Sequence, residues 1–263
     1  SRMTSAIAAI EECLEQLAAA FEPPPRQTVS EWADANRWLS SEASAEPGPW
    51  RTDRAPYQRA ILDALTPNSP YEHVVMMAAA QTGKTEVALN LVGYIIDRDP
   101  GPMLVVLPRV EDGEAWSKDR LAPMLRMTPC LNGKVADVRT RDSNNRILHK
   151  QFQGGSITIA GANSPAGLAM RPIRYVLLDE VDRYPASAGT EGDPVALAIK
   201  RSATWWNRKI LLVSTPTVKG ASRIESWWLR SNQSSYWVPC PDCGAYQVLV
   251  WPNLEWPEGR PEE

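Results

Sequence analysis

The feature that most limits what this chain can fold into is a short loop set between an apolar run and a helical pattern. Val74-Val75-Met76-Met77-Ala78 reads as a buried strand, and Ala78-Ala79-Ala80-Gln81-Thr82-Gly83-Lys84-Thr85 follows it before a helical repeat opens. A strand, loop and helix in that order aim several backbone N–H groups and a helix N-terminus at one point, where the β- and γ-phosphates of a nucleotide sit. The run is a Walker A pattern with its first glycine replaced by Ala78. Lys84 is expected to contact the phosphates and Thr85 to ligate Mg²⁺ through its hydroxyl, while Gly83 permits close backbone approach. A chance Gly-Lys-Thr at a strand-to-helix turn is the plainer alternative, so the reading demands a matching carboxylate elsewhere.

Tyr175-Val176-Leu177-Leu178-Asp179-Glu180 meets that demand: an apolar strand ends in two adjacent acids. On a parallel strand next to the phosphate loop, Asp179 would face the Mg²⁺ sphere and Glu180 would polarise an attacking water. The second acid points to hydrolysis, because an enzyme passing phosphate to a small substrate must keep water out. Leu211-Leu212-Val213-Ser214-Thr215-Pro216-Thr217 is a third apolar strand with a polar end, whose hydroxyls at Ser214 and Thr215 suit sensing a γ-phosphate. Three polar strand ends in one sheet fit the tendency of α/β sheets to bind ligands at the carboxyl edge. Upstream, the Gln58 amide offers a donor and an acceptor for an adenine edge, with Trp50 or Tyr57 against the ring; a surface glutamine on a helix is the bland alternative.

Around these motifs the pattern alternates. Strands are expected at 73–78, 103–107, 156–160, 175–178 and 209–213, with helices at 85–97, 111–127, 194–204 and 223–230. A strand at 147–152 and the turn Gln153-Gly154-Gly155 suggest a hairpin with 156–160. Ser222 with Glu225 three residues on reads as a capping box. Residues 4–21 carry Ile7, Ile10, Leu14, Leu17 and Phe21 at helical spacing, and Pro23-Pro24-Pro25 ends that helix. Residues 22–50 read as an irregular arm. The expected fold is therefore an α/β P-loop NTPase of the RecA-like, ASCE type: a central, mainly parallel sheet flanked by helices, plus an N-terminal helical arm. The expected division is 1–49 for helix and arm, 50–235 for the ATPase domain, and 236–263 for the start of a linker or zinc-ribbon-like segment.

Composition adds exclusions. A net charge of -3 over 263 residues argues against a uniformly basic surface but leaves room for a local basic stripe. No run of about 18 uncharged apolar residues occurs and the N-terminus lacks a signal-peptide pattern, so a cytoplasmic, non-membrane protein is expected. Four cysteines do not make a disulfide framework: Cys13 and Cys130 stand alone and Cys240 and Cys243 form one CxxC. The 11 tryptophans fit packing better than stacking on a ligand.

The residues also resemble a known family, the large terminase subunit of tailed bacteriophages, in its lambda-type branch. The resemblance rests on Trp50-Arg51, Pro56-Tyr57-Gln58 and Ala78 to Thr85, and above all on Phe152 to Leu168, Arg171 to Tyr175 and Asp179 to Tyr184. Ser214 to Thr217 and Cys240-Pro241-Asp242-Cys243-Gly244 complete it, so it covers most of residues 50–250. It implies an ATP-driven motor that moves double-stranded DNA into a procapsid in the bacterial host's cytoplasm. The motor would work as a homo-oligomeric ring docked on the portal protein, with the small terminase subunit as a further partner. It implies the same roles for Gln58, Lys84, Thr85, Asp179 and Glu180, and makes Ser214 to Thr217 the coupling motif. A C-terminal nuclease domain, usual in the family, is not expected within this chain.

Two departures carry expectations. Many members place an arginine in the phosphate loop, where this chain has Ala79 and Ala80, so the cation must come from elsewhere: a neighbouring subunit, the basic stretch around Lys134, Arg139, Arg141, Arg146 and Lys150, or Arg171 and Arg174. Those side chains equally suit a solvated or DNA-facing surface. The lone CxxC supplies half of a four-ligand zinc site, so Zn²⁺ is expected only in a longer protein, with the segment around Trp251 and Trp256 poorly anchored. A superfamily 2 helicase-like translocase shares the motifs but needs a second RecA-like domain, and a nucleotide-binding docking scaffold without turnover would share them too.

Overall fold

The structure, a computed structural model, describes residues 14, 26–42, 44, 46–135, 146–169 and 172–250. All but Leu14 of the expected helix at 4–21 lies outside the described residues, as do Arg139, Arg141, Arg171, Trp251 and Trp256. Among the described residues no helix is long and apolar enough to cross a membrane.

The segment read as an irregular arm contains helix α1 (Val29–Asn36), started by a reciprocal capping box of Thr28 and Glu31. Its Trp32 is fully buried and donates its indole N–H to Asp97 at 2.8 Å. A Cβ at Gly93 would lie 2.3 Å from the Trp32 ring, so glycine there admits the indole. A two-strand ribbon follows, β1 (Trp38–Leu39) against β2 (Gly48–Pro49), and then α2 (Tyr57–Ala64).

Six strands make the central sheet: β3 (His73–Met77), β4 (Pro102–Leu107), β5 (His149–Phe152), β6 (Gly155–Gly161), β7 (Tyr175–Asp179) and β8 (Lys209–Ser214). Their spatial order is β3-β8-β7-β4-β6-β5, parallel except that β5 pairs antiparallel with β6 as the expected hairpin. The interior strands are near-continuous Val, Leu and Ile because helices cover both faces; all six residues of β8 are buried. One face packs against α1, α2, α3 (Lys84–Arg98), α4 (Val110–Trp116) and α5 (Ala122–Met127). The other packs against α6 (Pro165–Ala169), α7 (Pro194–Lys200) and α8 (Arg223–Leu229). Ten consecutive residues of α3, Val87 to Ile96, are buried, which fixes the helix behind the phosphate loop.

Three expectations are corrected. The acidic strand β7 is not next to β3; β8 lies between them, hydrogen-bonded to both. Apolar runs reveal strands but not their lateral order. The helix expected over 111–127 breaks into α4, a π-turn at Ser117–Leu121 and α5. Pro123 has no N–H and its ring crowds the carbonyl of Asp119, so an unbroken α-helix is barred there. At α8, Ser222 accepts from the Glu225 N–H at 3.1 Å, but the Glu225 carboxylate takes the Gly220 N–H at 2.6 Å instead of closing a capping box.

Candidate active site

The parallel register brings three strand ends together. Met77 pairs with Ser214, and Val213 with Asp179, so the phosphate loop, the hydroxyl segment and the acidic pair leave the sheet side by side. The loop from Ala78 turns through Gln81 (φ 59°) and Gly83 (φ 76°), both left-handed, before α3 begins at Lys84. Gly83 also lies against Gln58, whose Nε2 would sit 2.3 Å from an added Cβ.

The Lys84 ammonium reaches the Ala79 carbonyl at 2.5 Å and the Thr215 hydroxyl at 2.9 Å, with Ala78 O at 3.5 Å. All are neutral oxygens, and among the described residues no carboxylate lies within 4.0 Å of it. Burial pushes its pKa down, while Asp179 and Glu180 push it up. A part-buried cation with neutral partners fits an anion such as the phosphates of a nucleotide.

Asp179 ends β7, and its pKa is raised to about 6, first by burial and then by the charge of Glu180. A divalent cation beside Asp179 would relieve that cost, and the chemistry of the Asp179 carboxylate and Thr85 hydroxyl suits the oxygen ligation of Mg²⁺. Glu180 occupies the left-handed region (φ 55°, ψ 47°) as the residue before the 3₁₀ turn Val181–Arg183, and pairs with Arg183 at 3.0 Å. Ser214 accepts from the Asp182 N–H at 3.2 Å and donates to Thr215 O at 3.1 Å, so it braces the strand ends instead of lying open.

Gln58 is buried and donates Nε2 to Thr82 O at 3.1 Å, and Tyr57 donates its hydroxyl to the same carbonyl at 3.0 Å. Because that carbonyl only accepts, the amide N must face it, leaving Gln58 Oε1 buried without a partner. Trp50 does not face a ligand: it is in the core and donates to Thr52 at 3.0 Å. Arg174 is also corrected as a source of catalytic charge. It precedes β7, at the sheet end opposite Asp179, and its guanidinium is bidentate to Asp99 at 2.9 and 2.6 Å. Arg146 bridges to His149 beside β5, five strand spacings or about 24 Å from β3. Lys134 pairs with Asp97, and Lys150 is buried on β5.

Residues 44–263 match the family described as phage terminase large subunit gpA, ATPase domain. The chain belongs to that family. The terminase large subunit of Escherichia phage lambda is 30% identical over 243 residues, covering 91% of this chain and 37% of that protein. The Enterobacteria phage P21 terminase large subunit is 27% identical over 252 residues, covering 91% and 38%. The chain thus spans a little over a third of the length of these relatives. Among solved structures, the Thermus phage P74-26 large terminase ATPase domain aligns with a TM-score of 0.48 at 14% identity, over 73% of this chain and 76% of that one.

Three residues of this gpA-type ATPase domain escaped the sequence reading of the site. Asp182 ties the acidic turn to Thr217 and α8, Arg183 pairs with Glu180, and Tyr236 packs edge-on against Tyr57 at 6.0 Å. The signal available for Asp182 was a third acid directly after a strand-end pair. Cys240 and Cys243 lie on a short hairpin, β9 (Val238–Pro239) with β10 (Tyr246–Gln247), closed by Cys240 N–H to Ala245 O at 2.8 Å. Among the described residues no third His, Cys, Asp or Glu joins them as a ligand group. N–H groups of Cys243 and Asp242 lower the pKa of the Cys240 thiol.

Proposed function

We propose that this chain is the ATP-hydrolysing part of a DNA-packaging motor that drives double-stranded DNA into a procapsid in the bacterial host's cytoplasm. In this reading it acts within a homo-oligomeric ring on the portal protein, beside the small terminase subunit. The observation that carries the catalytic half is the meeting of Lys84, Thr85, Asp179, Glu180 and Thr215 at one edge of the sheet. The motor half is supported by the family and by its lambda and P21 relatives, whose length exceeds this chain's.

In the catalytic cycle, backbone N–H groups from Ala79 to Thr85 orient the phosphates and Lys84 exchanges its carbonyl and hydroxyl partners for the γ-phosphate. Thr85 and Asp179 would hold Mg²⁺, which would supply positive charge against the negative charge developing on the phosphates. Glu180 takes the proton of the attacking water, and the freed Thr215 hydroxyl registers whether a γ-phosphate is present. Gln58 Oε1, an acceptor buried without a partner, suits the exocyclic amine of adenine. Cys240 and Cys243 would supply two thiolates to a Zn²⁺ site completed elsewhere in a longer protein.

The test is ATP hydrolysis by the protein and by Glu180→Gln, with and without DNA. A loss of at least about 10²-fold in Glu180→Gln with nucleotide binding retained is expected. Equal rates would remove the catalytic assignment and leave a nucleotide-binding scaffold.

A further inference from the structure

Glu180 poses a structural problem. A non-glycine residue in the left-handed region is strained and persists only where its surroundings over-determine it. The restraint comes from the turn that follows. Arg183 N–H returns to Glu180 O at 2.9 Å and Tyr184 N–H to Val181 O at 3.2 Å, closing the 3₁₀ turn, while Val181 is fully buried. The turn is then anchored at Asp182. Its N–H donates to Ser214 Oγ at 3.2 Å; Oδ2 accepts from Thr217 N–H and Thr217 Oγ1, both at 2.9 Å; and Oδ1 accepts from Ile224 N–H at 2.7 Å. Burial alone would raise the Asp182 pKa, but the bonds from Ile224, Ser222 and Thr217 hold it below the ordinary aspartate value.

We propose that Asp182 is a positioning residue for hydrolysis: it ties the Ser214-to-Thr217 segment of the β8 end to the turn that aims Glu180. The proposal rests on the catalytic reading of Glu180 given above. Both carboxylate oxygens of Asp182 are taken by Thr217 and Ile224, so it acts on water only through Glu180 and the Arg183 pair. Both of its oxygens accept, one from Ile224 and one from Thr217. An asparagine of the same shape must set its NH₂ against one of those donors, which breaks one arm while preserving size.

The experiment measures steady-state ATP hydrolysis and binding of a fluorescent, non-hydrolysable ATP analogue for the protein, Asp182→Asn, Glu180→Gln and the double variant. Asp182→Asn is expected to lower kcat at least tenfold with KM and analogue affinity changed less than twofold. In the Glu180→Gln background it is expected to change the residual rate less than twofold, because the group it positions is already gone. A wild-type kcat for Asp182→Asn overturns the proposal. So does an equal loss in both backgrounds, or analogue affinity falling in parallel with kcat, since either marks a general structural role. Should Asp182→Asn fail to fold, Thr217→Val removes only the hydroxyl arm and decides the question through the same double-variant comparison, with about a threefold loss of kcat expected only when Glu180 is present. Glu180→Gln hydrolysing at the wild-type rate would instead overturn the catalytic reading itself.

Discussion

At the amino-terminal ends of the sheet strands, charge meets its counterpart: Arg174 is bidentate to Asp99, Tyr175 adds its hydroxyl at 2.7 Å, and Arg208 reaches Glu72 at 2.7 Å. Lys209 is the exception at this end: its partners are neutral oxygens of Ser69 and Tyr71, and burial lowers its pKa to about 8. At the carboxyl ends the same sheet gathers more of its unsatisfied and strained groups in one place. Lys84 has only neutral oxygens, Asp179 is driven up to about 6, Gln81 and Glu180 are held at positive φ, and a buried oxygen of Gln58 has no partner. Satisfied networks give rigidity, whereas unsatisfied and strained groups are what a polyanion and its cation would relieve. In the proposed reading, one end of the sheet stabilises the fold and the other binds the nucleotide.

Removing the central cation of the unsatisfied end should have the largest effect. Lys84→Ala is expected to reduce hydrolysis by about 10³-fold, or about 4 kcal/mol of transition-state stabilisation. Its thermal midpoint should not fall, because the ammonium has no ionic partner to lose. A variant that melts early would show that Lys84 is structural and would break the contrast between the two ends.

The mirror experiment is Arg174→Ala. Stranding the part-buried Asp99 carboxylate and the Tyr175 hydroxyl should cost about 3 kcal/mol of folding stability, read by denaturant titration. KM for ATP and kcat should stay within twofold, since the guanidinium lies about 16 Å of strand away from Asp179. A kinetic defect without a stability defect would reverse the assignment.

An intermediate effect concerns proton competition at Asp179. Its raised pKa means that the folded state holds this proton more tightly than the unfolded chain does. The group therefore favours folding at low pH, and that contribution fades as pH rises through about 6. Metal capture needs the carboxylate and runs the other way. At limiting Mg²⁺, metal-dependent nucleotide affinity should fall below about pH 6, approaching tenfold per pH unit. Phosphate protonation of the nucleotide contributes its own slope, so the measurement is the difference from Asp179→Asn. An identical slope in both proteins would remove Asp179 from the metal site.

The contrast between the ends was partly legible in the sequence. Apolar runs ending in Asp179-Glu180 and in Ser214-Thr215 announced the active end, because a buried strand that stops at polar groups leaves few places for them to go. The reading of Arg174 as a candidate catalytic cation was wrong, although the signal against it was present: a residue just before a strand emerges opposite the residues just after it. What resisted reading was lateral. Nothing in β3 or β7 alone says that β8 lies between them, since that order follows from how the connecting helices pack. Trp32 sits in a proline- and acid-rich stretch that masked its docking against Gly93, a contact across 61 positions of sequence. Asp182 was invisible as an anchor because its partners, Thr217 and Ile224, come from the far side of β8.

The smallest expected effect tests how far the active end extends. Tyr236 is half-exposed and belongs to the segment leading into the Cys240 hairpin, yet its ring packs edge-on against Tyr57, whose hydroxyl holds Thr82 O of the phosphate loop. An aromatic pair of this geometry contributes about 0.5–1.5 kcal/mol. Tyr236→Ala should therefore raise KM for ATP about two- to fivefold through a looser Tyr57, with kcat unchanged and Tyr236→Phe near wild type, because only the ring is used. Loss of kcat in Tyr236→Ala would mean that the segment before the hairpin reaches the chemistry itself. An unchanged KM would confine the active end to the sheet edge and its loops.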